Sequence, residues 1–212
     1  VPEEELHGLV SFQEGDVFSR KAMVDSADKI QKRFGSEGFI QANINPNPDI
    51  DEENNRINIT FSMSAGRRIY VRRINFRGNT TSADEVLRRE MRQMEAAYAN
   101  SSHIEKSKSR LERLGYFTSV NVETLPVPGT EDQIDLEYSV VEQLSGNLSA
   151  SIGFSQSSGL LLALSVSQEN FLGTGKHVSF GINTSDTDTE YSFSYTDPYY
   201  TVDGVSRGFS LF

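Results

Sequence analysis

The chain has 212 residues, 36% of them hydrophobic, with 30 acidic and 20 basic side chains and no cysteine. A formal charge of -10 offers no net positive field to gather phosphates, which argues against a general nucleic-acid binder. The missing cysteines exclude a disulfide framework and a thiolate metal site. No stretch approaches the roughly 18 consecutive apolar residues of a spanning helix, and the N-terminal VPEEELHGLV lacks the basic and apolar regions of a signal peptide.

The first elements form a small α/β pattern. Pro2 to Leu9 reads as the tail of a helix. Met23, Ala27, Ile30 and Phe34 are spaced 4, 3 and 4, which predicts an amphipathic helix ended by Gly35 and Gly38. A strand is expected to begin over 39–44, followed by a Pro/Asp/Asn-rich turn over 45–55. Ile57, Ile59, Phe61 and Met63 then alternate as a half-buried strand.

The pattern returns about 80 residues later, with its preceding elements visible. Ile69, Val71, Ile74 and Phe76 predict a strand ending at Gly78-Asn79. Ser82 and Glu85 read as a capping box for a helix lined by Val86, Leu87, Met91 and Met94. Ser102 and Glu105 open a second helix with a stripe of Ile104, Ser107, Leu111 and Leu114. Val120 and Val122 start a strand, and Ile134, Leu136, Tyr138 and Val140 alternate in its return partner. The repeated unit is therefore β-α-α-β-β, an α+β module.

From Gly146 the period becomes two. Beyond residue 145 only Lys176 and Arg207 are basic, against six acidic residues, while Ser, Gly, Phe and Tyr increase. Leu148, Ala150, Ile152 and Phe154 share one face of the first run, and Leu160, Leu162, Leu164 and Val166 one face of the second. Val178, Phe180 and Ile182, then Tyr191, Phe193 and Tyr195, continue the alternation, and a fifth run opens at Val205. Turns are expected at 157–159, at 173–175 and around Asp186 and Asp188. Runs of about 9–11 residues with one apolar and one small polar face fit antiparallel strands of a transmembrane β-barrel. A soluble antiparallel sheet with one buried face has the same alternation. Closed spanning barrels start at about eight strands, so five would be an incomplete barrel.

Chemistry-bearing constellations are scarce. His7, His103 and His177 lie in different elements and form no ligand spacing, so no metal or cofactor site is expected. The Gly173-Thr174-Gly175-Lys176 run lacks the first glycine and the final Ser/Thr of a phosphate loop. No serine sits in a nucleophile elbow, and no catalytic residues are assigned. The less bland stretch is 88–95, where Arg88, Arg92 and Glu95 are spaced 4 and 3 and would share one helical face.

Three segments carry a family resemblance. VLRREMRQME at 86–95 resembles the first helix of a membrane-proximal POTRA domain, NFLGTG at 170–175 a barrel hairpin, and TDPYYTVDGVS at 196–206 the turn joining the fourth and fifth barrel strands. Together they resemble the BamA family of outer-membrane β-barrel assembly factors. The resemblance implies residues 1–66 as a fourth-like POTRA domain without its first strand, 67–143 as a fifth-like POTRA domain, and 144–212 as the first four to five barrel strands. On this reading the chain is a fragment of a longer protein. It implies a non-enzymatic factor of the Gram-negative outer membrane, with its POTRA domains in the periplasm. Such a factor binds unfolded β-barrel clients and inserts them through strand augmentation and a lateral seam.

Carried over by position, Arg88, Arg92 and Glu95 are the expected docking residues for a BamD-like lipoprotein, one of several lipoprotein subunits of the assembly complex. The expected seam strand is Gly146, Asn147, Leu148, Ser149, Ala150, Ser151, Ile152, Gly153, Phe154 and Ser155. Outer-membrane lipid is a further implied partner. The alternative is a related POTRA-barrel transporter, for two-partner secretion or autotransporter assembly. From another class, a soluble adhesion or binding protein with a β-sandwich C-terminus stays open on pattern alone.

Overall fold

The computed structural model describes residues 1–157 and 159–212. In chain order it places α1 (Glu3–His7), α2 (Arg20–Gly35), β1 (Asn43–Asp51), β2 (Arg56–Ser64), β3 (Tyr70–Arg77), α3 (Asp84–Arg88) and β4 (Ala97–Tyr98). These are followed by α4 (Ser101–Arg113), β5 (Phe117–Pro126) and β6 (Gln133–Glu142). The last elements are β7 (Gly146–Ser155), β8 (Gly159–Gln168), β9 (His177–Thr184), β10 (Thr189–Asp197) and β11 (Arg207–Leu211). Three sheets result, ordered β1-β2, β4-β3-β6-β5 and β11-β10-β9-β8-β7.

α2 forms where the 4-3-4 spacing predicts it. The Ser19 side chain accepts from the Ala22 N–H at 3.3 Å, satisfying one orphan donor of the first turn, and Met23, Ala27 and Ile30 are buried. Ala27 and Ile30 join Leu6 and Ile44 in a core against which Phe34 and Phe61 pack. β1 departs from expectation: the Pro/Asn stretch assigned to a turn is strand through Asp51, in register with β2 from Asn43↔Ser64 to Asp51↔Arg56. Pro46 and Pro48 are two residues apart and so lie on the same side of the ladder. A two-stranded ribbon bonds on one side only, so prolines without N–H groups are tolerated there.

Both predicted capping boxes give way to other partners. At α4 the cap is Asn100, whose side chain accepts from the His103 N–H at 3.1 Å, so the helix begins one residue before Ser102. Along α4, Ile104, Ser107 and Leu111 are buried as the stripe requires. At α3 no side chain caps the helix, and it ends at Arg88 rather than running to residue 95. Met91 is buried but Met94 is 67% exposed, because the chain beyond Arg89 has left the helix.

The residues gather into two compact units. One comprises Val1–Asn75, Met91–Ser107 and Val122–Glu137; the other comprises Phe76–Glu90, Lys108–Asn121 and Tyr138–Phe212. In the first, Arg68 stacks on Tyr98 at 4.8 Å and on Phe39 at 5.3 Å, while Asn100 donates to the Ser36 carbonyl at 2.8 Å. These contacts join the end of the first repeat to the second. In the second, Val86, Leu87, Leu111, Tyr138 and Val140 are all buried.

The five-stranded sheet keeps the predicted phase throughout. One row across it reads Leu148, Val166, Phe180, Phe193 and Leu211. The adjacent row reads Asn147, Ser167, Ser179, Ser194 and Ser210. Leu148, Val166, Phe180 and Leu211 are exposed, with none of the described residues covering them, as expected where lipid is the solvent. The sheet is open, and no described helix is long and apolar enough to cross a membrane. The predicted 157–159 turn includes Ser158, which lies outside the described residues.

Candidate functional site

The expected docking residues are placed individually rather than on one helix. Arg88 ends α3, where its Nε donates to Asp84 at 3.1 Å and its guanidinium lies 5.3 Å from the Phe76 ring centroid. Arg92 follows the helix; its backbone N–H donates to the Ser107 hydroxyl at 2.8 Å and its side chain is exposed. Glu95 accepts from the Ile74 N–H at 2.8 Å. The 4-3 spacing therefore does not create a shared helical face, because the helix stops at Arg88. Arg88 belongs to one compact unit, and Arg92 and Glu95 belong to the other.

The expected seam strand coincides with β7. All ten residues pair with β8, from Gly146↔Gln168 to Ser155↔Gly159, and β7 is an edge strand of the sheet. Leu148, Ile152 and Phe154 are 69%, 74% and 78% exposed.

A third arrangement was not anticipated from the sequence. The turns after β8 and after β10 both meet the segment around α3. Asn170 sets the first: its amide donates to the Ser82 hydroxyl at 2.8 Å, and its side-chain oxygen accepts from the Gly175 N–H at 2.7 Å. The Ala83 N–H, which has no partner within α3, donates to the Gly173 carbonyl at 2.9 Å. Gly173 has φ +73° and a Cβ there would collide with the Thr81 carbonyl, so glycine is required by both conformation and space. Ser82 is thus committed to the turn rather than to capping α3.

Glu142, at the end of β6, fixes the same segment. Its carboxylate accepts from the Thr80 hydroxyl at 2.8 Å and from the N–H groups of Thr81 and Ser82 at 2.9 and 2.7 Å. Burial opposes its ionisation, but the bonds from Ser82, Thr80 and Thr81 outweigh it and bring the pKa down to about 2.

The second turn is held through Tyr199. Its hydroxyl accepts from Arg110 at 3.0 Å, and the Arg89 guanidinium stacks 4.3 Å from its ring centroid. Arg110 also pairs with Glu90 at 2.6 Å, which explains how a glutamate only 3% exposed is tolerated. Burial and the nearby Glu90 carboxylate push the Tyr199 phenol up. The signal for Glu90 was available in the sequence: with Val86, Leu87 and Met91 it falls in the apolar phase of the predicted helix, and a charge in that phase demands a partner. The identity of the partner lies 20 residues away in α4, and periodicity carries no information on that pairing.

α+β modules running into an open antiparallel sheet, with apolar and small polar rows alternating across it, fit an outer-membrane protein with periplasmic domains. Residues 1–66 and 69–143 match the POTRA family, described as surface antigen variable number repeat, and the chain belongs to that family. Residues 170–212 match the Omp85 superfamily domain. The chain is 39% identical over all 212 residues to the outer membrane protein assembly factor BamA of Neisseria meningitidis, covering 27% of that protein. It therefore spans about a quarter of this curated relative's length.

The structure of BamA from Haemophilus ducreyi lacking POTRA domains 1–3 superposes with a TM-score of 0.89 at 38% identity, over 97% of this chain and 39% of that one. The POTRA3–5 structure of Haemophilus influenzae BamA matches with a TM-score of 0.62 at 40% identity, over 66% of this chain and 55% of that one. The α+β modules and the incomplete antiparallel barrel sheet are thus those of BamA structures. The outer membrane, with the POTRA modules on its periplasmic side, is the compartment of this family.

Proposed function

We propose that the chain is the membrane-proximal part of a non-enzymatic factor that receives unfolded β-barrel clients and inserts them into the outer membrane. The observation that carries this reading is the match to BamA along all 212 residues of the chain at 39% identity. In this reading residues 1–66 and 67–143 are the fourth-like and fifth-like POTRA domains and 144–212 the first barrel strands.

An incoming client strand pairs with the free edge of β7, where main-chain bonds give affinity without strict sequence demands. β7 is rich in Gly and Ser, which leaves its register weakly specified, as a seam that must open requires. Partner lipoproteins dock on the periplasmic modules, with Arg88, Arg92 and Glu95 as the contact residues for a BamD-like subunit. The test is photo-crosslinking in the full-length protein during client synthesis. A crosslinker placed along Gly146–Ser155 captures client chains; capture no greater than from positions in β10 would sink the reading.

A further inference from the structure

Arg89 occupies a position that neither hairpin turn explains alone. Its guanidinium covers the Tyr199 ring at 4.3 Å, and it fills the space that a Cβ on Gly175 would need. One side chain therefore lies against the turn after β8 and the turn after β10. Among the described residues its buried Nε and Nη2 atoms meet no hydrogen-bond acceptor, and the side chain is only 16% exposed. Its near carboxylate is Glu90 at 4.0 Å, and Glu90 is itself bonded to Arg110 at 2.6 Å. A guanidinium with unmet buried donors gains by leaving for water unless packing holds it in place. The packing here comes from the two turns together.

We propose that Arg89 and Tyr199 are positioning residues that make the two turns hold and release as one clamp. Removing either turn's contact frees Arg89 to solvate, and the other turn then loses the surface it rests on. The strands joined by these turns, β8 to β11, are thereby tied to α3 as one body. All the participants lie within one compact unit. A displacement of α3 passes into the sheet through the turns instead of being absorbed in the short connection from β6 to β7. This goes beyond the assembly role proposed above, and it can be tested with no client present.

The experiment is amide hydrogen exchange on the full-length protein in lipid nanodiscs, comparing peptides over 169–176 and 198–206. Tyr199→Ala accelerates exchange in the distant 169–176 peptide by about tenfold or more. Tyr199→Phe, which keeps the ring over Arg89, leaves that peptide near its wild-type rate. In the reverse direction, Gly175→Ala displaces Arg89 and accelerates the 198–206 peptide. Changes confined to the turn that carries the substitution overturn the proposal. Where Gly175→Ala yields no folded barrel, Arg89→Leu replaces it: acceleration in both turns supports the clamp, and acceleration in one or neither overturns it.

Discussion

The side-chain amide of Asn170 donates to the Ser82 hydroxyl at 2.8 Å across 88 residues of sequence, and both residues are about 5% exposed or less. Its oxygen is also used, by the Gly175 N–H. Asn170→Ala strands a buried hydroxyl and a buried N–H together. The expected cost is about 1–3 kcal/mol, since an unpaired buried group loses its full solvation. Thermal unfolding of the full-length protein in detergent checks this. Asn170→Asp, which keeps the acceptor for Gly175, falls between the variant and wild type.

Glu142 predicts a pH dependence with a defined sign. Its folded pKa of about 2 lies below the unfolded value of 4.5, so it stabilises the fold fully above about 4.5. That contribution is lost progressively as the pH falls towards about 2. Glu142→Gln is therefore less stable than wild type at pH 7, by about 1–2 kcal/mol for weakened bonds to a charged acceptor. Melting both proteins at pH 7, 5 and 3 should show a constant gap over the first two and a smaller gap at the third.

How far the sequence carried the fold varied with the kind of signal. The sheet phase from β7 to β10 followed from period two alone, because every strand there alternates on the same two faces. α2 followed equally from its 4-3-4 stripe. The failures share a physical cause, in that tertiary partners outcompeted local ones. Ser82 was expected to cap α3 and instead accepts from Asn170, while α3 ends at Arg88 and the chain turns so that Glu95 can bond Ile74. Pro46 and Pro48 read as turn residues in the sequence because it does not say that their strand has one neighbour. Tyr199 lies 110 positions from Arg89 and 89 from Arg110, so only the charged Glu90 in the apolar phase of the predicted helix hinted at these contacts.

Glu95 distinguishes charge from structure at the proposed lipoprotein surface. Its carboxylate accepts from the Ile74 N–H, so Glu95→Lys removes a local bond and reverses a charge together. Glu95→Gln keeps an acceptor and removes only the charge. If docking is electrostatic, Glu95→Lys weakens binding of a BamD-like lipoprotein by about tenfold or more, roughly 1.4 kcal/mol, and Glu95→Gln weakens it less. A two-component binding titration reads both variants, and equal affinity for wild type and Glu95→Lys removes this residue from the surface.

The two faces of the strand sheet should respond unequally to the same substitution. Leu164 lies near the middle of β8, pairs with Ala150 and Ile182, and belongs to the apolar face. Its neighbour Ser165 pairs with Ser149 and Gly181 on the small polar face. In a bilayer an arginine at the midplane on the lipid side costs about 2–4 kcal/mol, whereas one on the interior side meets water or protein. Leu164→Arg is therefore expected to lower the yield of correctly inserted full-length barrel, and Ser165→Arg to leave it closer to wild type. Heat-modifiable mobility on gels after membrane isolation measures the folded fraction of each. A soluble sandwich predicts the same cost for Leu164→Arg, but its product would be recovered in the aqueous fraction without detergent. Recovery of the wild-type chain in the membrane fraction, with the loss confined to Leu164→Arg, identifies lipid as the solvent of the apolar face.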